Sequence, residues 1–280
     1  MKSLRISIVQ YLNTAPLVRG FTHGPLRDKY ELSFTVPSQC AEALRARLVD
    51  IAIIPAIEYQ RIDGLVILPD LSIASKKSVR SLLLISKKPI KDVAKIALDR
   101  SSRSTQALTK ILCAKRWQIE PEFFEMEPNL TAMLESADAA LLIGDPALRF
   151  ALKGAPSNGG SREANLFVYD IAEKWRALTS LPAVLAVWAG RPEVITKEVV
   201  LDFQNSLAFG LRHLDEISEE SAVELNLPAE ELKRYLTVNI DYRLDGENLQ
   251  GLRRYYDLAK ELGIISRVRE ILMVEEALKV

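Results

Sequence analysis

Ile96-Ala-Leu-Asp-Arg-Ser-Ser-Arg-Ser-Thr-Gln-Ala-Leu-Thr-Lys-Ile-Leu112 is the stretch from which the fold can be read. The apolar run Lys95 to Leu98 gives way to hydroxyls and arginines at Ser101, Ser102, Arg103, Ser104 and Thr105. Apolar residues then return at Ala107, Leu108, Ile111 and Leu112. That spacing predicts strand, polar loop, helix. The first amides of such a helix lack intrahelical acceptors and stand at the positive end of its dipole, so hydroxyls beside them can help to hold a carboxylate or phosphate. The same residues suit an ordinary helix start, because Ser and Thr are common N-caps. The missing capping-box glutamate and the density of hydroxyls tilt the reading toward a binding loop.

The cadence repeats on both sides. Arg5 to Val9 reads as a strand running into Tyr11-Leu12-Asn13-Thr14-Ala15-Pro16-Leu17, where Pro16 suits a first helical turn. Asn13 then lies at a strand's carboxyl end, where open α/β sheets bind ligands, or it merely caps the next helix. Leu32 to Val36 is a second strand, and Pro37-Ser38 opens a helix with Cys40, Ala41, Leu44 and Leu48 on its apolar face. Asp50 to Pro55 is a continuous apolar strand of the buried, parallel kind, with a helix starting at Pro55-Ala56. Such alternation makes the class α/β.

From Ile73 to Ser86 a polar loop joins a strong strand, and Lys76, Lys77 and Arg80 read as solvated charges. Ser75, Ser78 or Ser81 can reach the same ligand if this loop faces the serine loop. Further strands are expected at Lys95 to Leu98, Glu122 to Met126, Ala139 to Ile143 and Leu166 to Tyr169. Asp145, after Ile143-Gly144, is a helix cap, a ligand contact, or both, with the cap favoured. Gly154 to Ser161 reads as a surface loop. Ala183 to Trp188 is the last strong strand, and helices follow at Val194 to Ile217, Glu219 to Leu225, Pro228 to Tyr235 and Glu247 to Leu262. One strand leaving near Ile85 and one returning near Trp188 give two crossings. The expected organisation is a first lobe of residues 1–86 and 187–280, an inserted lobe of residues 87–186, and a ligand cleft between them.

A chain of 280 residues with 48% hydrophobic and 26% charged residues has the composition of an ordinary globular protein. Thirty-seven basic residues balance thirty-seven acidic ones, so no global field favours nucleic acid or an anionic membrane. No apolar run approaches the ~20 residues of a spanning helix, and the start is too short in apolar residues for a signal-peptide core. Two distant cysteines, Cys40 and Cys113, make neither a disulfide framework nor a metal knuckle. The expectation is a cytoplasmic protein with a small-molecule ligand, no nucleic-acid or membrane partner, and an oligomeric state on which the sequence is silent.

Taken in order, Tyr11 to Leu17, Val36-Pro37-Ser38, Asp50 to Tyr59, Leu98 to Thr105, Leu142-Ile143-Gly144-Asp145, and Tyr169-Asp170-Ile171 with Trp175 and Leu181-Pro182 resemble one family. It is the chorismate dehydratases of the futalosine route to menaquinone. The resemblance runs from about Arg5 to Arg191, and the helical tail suits it. It implies a periplasmic-binding-protein fold of the second type, and a lyase that removes water from chorismate to give 3-[(1-carboxyvinyl)oxy]benzoate without metal or organic cofactor. It places Asn13 in the active-site cleft and makes Ser101, Ser102, Arg103, Ser104 and Thr105 the substrate-binding loop. Ser38, Ala56, Ser81 and Asp145 complete the candidate contacts. Lys76 and Ala56 stand where the family commonly has a glycine and a serine, which bears on local backbone geometry and one hydroxyl contact.

The reaction removes a ring proton beside the enol ether together with the neighbouring hydroxyl, and aromatisation drives it, so the protein mainly fixes the substrate and assists proton transfer. The chain has two histidines, His23 and His213. His213 reads as structural and His23 as more open, and no catalytic triad or phosphate loop is legible. With an amide and hydroxyls in the motifs, the proton acceptor falls to water or to the substrate's own enolpyruvyl carboxylate. The rivals are a non-catalytic solute-binding or sensor module on the same fold, and a related later-pathway enzyme acting on a cyclic futalosine intermediate.

Overall fold

The computed structural model describes residues 3–154 and 166–274. Beyond Gly154, the surface loop expected up to Ser161 lies outside the described residues. The strands are β1 (Arg5–Val9), β2 (Glu31–Thr35), β3 (Ile51–Pro55), β4 (Val66–Ser75), β5 (Leu82–Ser86), β6 (Lys95–Asp99), β7 (Glu122–Met126), β8 (Ala139–Ile143), β9 (Phe167–Asp170) and β10 (Ala183–Gly190). They form two five-stranded sheets, in the orders β2-β1-β3-β10-β4 and β7-β6-β8-β5-β9.

The two sheets share one plan. In the first, β2, β1 and β3 are parallel and β10 runs antiparallel to β3 and β4. In the second, β7, β6 and β8 are parallel and β5 runs antiparallel to β8 and β9. Each fourth strand is the one delivered by a crossing from the other sheet, so it leaves the seam while the parallel strands run toward it. The carboxyl ends of β1, β3, β6 and β8 therefore face one another, which is where open α/β sheets place ligands.

The chain changes sheets between Ser75 and Leu82 and again between Asp170 and Ala183, a few residues ahead of the expected limits at 86 and 187. The first crossing is pinned by Asp170, whose carboxylate accepts from the Val79 and Arg80 amides at 2.9 and 2.7 Å. Strand β4 has no counterpart among the expected strands. Pro69 lies inside it, Asp70 takes a left-handed φ of 61°, and its pairing with β10 shifts register, all of which hide a strand from pattern reading.

Helices α1 (Ala15–Thr22), α2 (Pro37–Arg45) and α3 (Ala56–Tyr59) serve the first sheet, and α4 (Arg103–Leu112), α5 (Leu130–Ser136), α6 (Gly144–Lys153) and α7 (Ile171–Thr179) the second. The tail is α8 (Lys197–Arg212), α9 (Leu214–Leu225), α10 (Ala229–Arg234) and α11 (Gly246–Glu261). The single helix expected from Val194 to Ile217 is in fact two, because the chain leaves helical geometry at His213, with ψ at 29°. Alternation sorts the core: Leu82 and Leu84 of β5 join the main cluster, while Leu83 and Ile85 pack with Met133, Ala140 and Leu142 on the other face. Both thiols are buried as expected, and burial pushes Cys40 up to about 11 and Cys113 up to about 12. No helix among the described residues is long and apolar enough to cross a membrane.

Candidate functional site

Where the strand ends meet, a cavity of about 50 Å³ is walled by Tyr11 and Asn13 from the β1 turn, Pro37 and Pro55 from the first lobe, and Ser102, Arg103, Ser104, Thr105 and Gly144 from the second. That is room for ordered water and tight for a ring-sized solute in this arrangement of the lobes. The lobes are closed on each other. The Ile57 amide donates to Ser104 Oγ at 3.2 Å, the Ser38 amide to the Ser101 carbonyl at 3.1 Å, and the Leu12 amide to Asp145 Oδ1 at 3.1 Å. Arg103 pairs with Glu42 at 3.0 Å and stands 3.7 Å from the buried Glu58, which Arg45 and Arg61 also hold.

The serine loop divides its labour. Ser102 is the backbone N-cap of α4, yet its hydroxyl makes no capping bond. It and Thr105 are each 3% exposed, line the cavity, and carry hydroxyls without a hydrogen-bond partner among the described residues. Ser104 is already engaged by Ile57 and, through its carbonyl, by the Tyr255 hydroxyl at 2.9 Å. Ser101 turns away: its hydroxyl donates to Asp99 Oδ1 at 2.6 Å and lies 3.4 Å from the Tyr11 hydroxyl.

Asp99 escaped sequence reasoning, although it stands in the opening stretch. It is fully buried at the end of β6, and burial raises its pKa against the opposing bonds from Ser101 and the Ile143 amide. A lone Asp at a strand end carries no signal of burial. Its proximity to the hydroxyl cluster is the one hint that it organises that cluster. Burial also pushes Tyr11 up to about 12, so this phenol is protonated at neutral pH.

Other candidates fall on the margins. Ser38 and Ala56 adjoin the cavity, but Pro37 and Pro55 supply the wall. Ala56 is fully buried, its carbonyl accepting from the Tyr256 hydroxyl at 2.7 Å. Ser81 is buried behind Leu82 and accepts from the Tyr235 hydroxyl at 2.8 Å. Ser75 bonds the Lys77 backbone and Ser78 receives the Asn239 amide, so both shape the crossing instead. Lys76 is not merely solvated: it meets Asp245 at 2.5 Å. His213 stacks on Phe209 with ring centroids 4.0 Å apart and is structural, as expected. His23 lies with Arg19 and Glu220 along a separate groove of about 340 Å³, beyond Tyr11.

Asp145 is not the cap favoured from sequence. Ile143 is the N-cap residue of α6, and the Asp145 side chain reaches across the seam to Leu12 and toward the outer groove. Burial lifts its pKa to about 6, against the bond from Leu12. Between pH ~4 and ~6 the unfolded chain loses this proton while the folded one keeps it, so stability falls as pH rises through that window and the loss is complete above it. Asp145→Asn keeps an acceptor for Leu12 and escapes the penalty. Its melting temperature should match wild type near pH 4 and exceed it well above pH 6 by the equivalent of about 3 kcal/mol. A gap independent of pH in melts from pH 4 to 8 would refute the assignment.

A family model described as menaquinone biosynthesis matches residues 4–261. A chorismate dehydratase from Thermus thermophilus is 29% identical over 273 residues, covering 94% of this chain and 97% of that protein. Among solved structures, a protein from Archaeoglobus fulgidus superposes with a TM-score of 0.74 at 22% identity, covering 94% of this chain and 98% of the other. The periplasmic aliphatic sulphonate binding protein from Escherichia coli superposes with a TM-score of 0.62 at 17% identity, covering 99% and 97%. The fold is thus the periplasmic-binding-protein fold expected from the motif order.

Proposed function

The chain belongs to the menaquinone biosynthesis family, and from that premise we propose that it is a chorismate dehydratase acting in the cytoplasm at the first step of the futalosine route. The observation that carries this reading is the closed cavity between the strand ends, lined by an amide, free hydroxyls and a helix N-terminus. Chorismate carries two carboxylates. One suits the first-turn amides of α4 with the Ser102 and Thr105 hydroxyls, where charge-assisted bonds are strongest.

In the reaction the C–H bond at the ether-bearing ring carbon breaks, and its electron pair forms the new ring double bond. The neighbouring C–O bond breaks, and the departing hydroxide leaves as water after taking a proton. Asn13 donates to the leaving oxygen and fixes the ring. A carboxamide does not take up a proton at neutral pH, so the acceptor is water or the enolpyruvyl carboxylate. The ligand-free lobes leave little room between them, so the substrate enters when they part, and they then close around it with the cavity enlarged by its presence.

The test is to incubate the purified protein with chorismate and follow aromatic absorbance, with the product identified by proton NMR. Saturable formation of 3-[(1-carboxyvinyl)oxy]benzoate is expected. Chorismate recovered unchanged while it raises the melting temperature would make the protein a binding module instead. Inertness toward chorismate with turnover of a cyclic futalosine substrate would assign the later step.

A further inference from the structure

Glu58 is a fully buried carboxylate that no step of the proposed reaction uses. It lies on α3, in the first lobe, where Arg61 meets it at 2.8 Å and Arg45 grips its other oxygen. A buried charge without partners is costly, and these two arginines, both of the first lobe, satisfy it whether the lobes are open or closed. Arg45 also reaches Glu42 of α2 at 3.3 Å, so the two acids stand side by side on one arginine. Neither acid lines the cavity.

Arg103, the first residue of α4, comes to them from the second lobe. Its guanidinium pairs with Glu42 at 3.0 Å and stands 3.7 Å from Glu58. Although the residue borders the cavity, its charge is thus directed at the first lobe. A cation at a helix N-terminus opposes the dipole there, so with the lobes apart Arg103 is poorly placed, and closure brings two carboxylates to it. The same contact seats the first turn of α4: one residue on, Ser104 Oγ accepts from the Ile57 amide, beside Glu58. Ser102 and Thr105, which line the cavity, flank that anchored pair.

We propose that Glu42 and Glu58 are positioning residues: they form the socket of an interlobe latch, with Arg103 as its plug, which holds the lobes closed and sets Ser102 and Thr105 against the ligand. The latch rests on the dehydratase reading only for the ligand on which it closes.

In small-angle scattering at low salt and without ligand, Arg103→Gln and Glu42→Gln should each have a larger radius of gyration than wild type. The Arg103 and Glu42 side chains are 35% and 49% exposed, so salt screens the pair, and ~0.5 M NaCl should expand wild type while moving the variants little. Arg100→Gln is the control. It removes an equal charge from the same loop, but Arg100 pairs with Glu127 of its own lobe at 2.6 Å, so the radius should not change. Chorismate affinity should weaken about 2- to 5-fold in either latch variant, the span of a partly exposed ion pair, and no further in the double variant. The direction in Glu42→Gln is decisive. Were Arg103 a ligand contact for which Glu42 competes, releasing it would leave chorismate binding unchanged or tighter. That result, or a ligand-free radius equal to wild type in either folded variant, overturns the latch. Wild type that neither converts nor binds chorismate would sink the dehydratase reading alone, and the ligand-free radius then decides the latch by itself.

Discussion

Asn13→Ala is expected to lower the turnover of chorismate by about 10²–10³-fold, the range seen when one donor to a developing negative charge is removed. Chorismate binding should stay within about threefold, because Ser102, Thr105 and the first turn of α4 are untouched by the substitution. Asn13 is 9% exposed on the cavity wall, and its carboxamide is already tied to Thr14. With its oxygen so engaged, what it offers a substrate is its N–H donors. Asn13→Asp separates the two contributions: the shape is kept, the donor is lost, and a like charge faces a dianion, so binding should fall as well. His23→Ala, at the outer groove, should retain turnover within about threefold. Normal turnover in Asn13→Ala, with a dead but folded His23→Ala or Asp145→Asn, would show that a protein side chain takes the proton.

The fold was legible because its signal is local and repeated. Each parallel strand of the sheet centres is a short apolar run followed by a polar turn and a helix, and Asp50 to Pro55 or Ala139 to Ile143 carry that pattern without ambiguity. The crossings were placed a few residues late because β5 and β10 look, by composition, like ordinary central strands, and nothing in a strand says which sheet it will join. β4 was hidden by Pro69 and by the bulge at Asp70.

The site was legible only in its first layer. Asn13, Ser102 and Thr105 do line the cavity, since strand-end and helix-start positions are set by local sequence. The groups behind them come from elsewhere: Tyr255 of α11 holds the Ser104 carbonyl, Tyr256 that of Ala56, and Tyr235 holds Ser81. Tyrosines on helices of mixed polarity read as core aromatics, and their hydroxyls acquire meaning only when tertiary packing supplies a partner. Asp145 shows the converse error. Its position suggests a cap, but in the fold its carboxylate accepts from the Leu12 amide across the seam.

Gly144→Ala should loosen the closed state more than any other single-methyl change in the seam. Gly144 has φ at +62°, and an added Cβ would stand 2.6 Å from two carbons of the Tyr11 ring. The backbone cost of alanine in the left-handed region, about 1–2 kcal/mol, applies whether the lobes are open or closed. The overlap with Tyr11 is different, because Tyr11 belongs to the β1 turn of the first lobe and Gly144 opens α6 of the second. Parting the lobes relieves it, so the overpacking cost of about 1–3 kcal/mol falls on the closed state alone. Chorismate affinity should drop about 5- to 150-fold, the equivalent of that energy, and small-angle scattering at saturating ligand should give a larger radius than liganded wild type. Gly263→Ala is the control: at the end of α11 its φ of +68° carries a similar backbone strain, and an added Cβ meets nothing within 4 Å. Both variants should melt lower than wild type, but Gly263→Ala alone should bind and close normally. Equal affinity in the two would mean that the Tyr11–Gly144 contact does not govern closure.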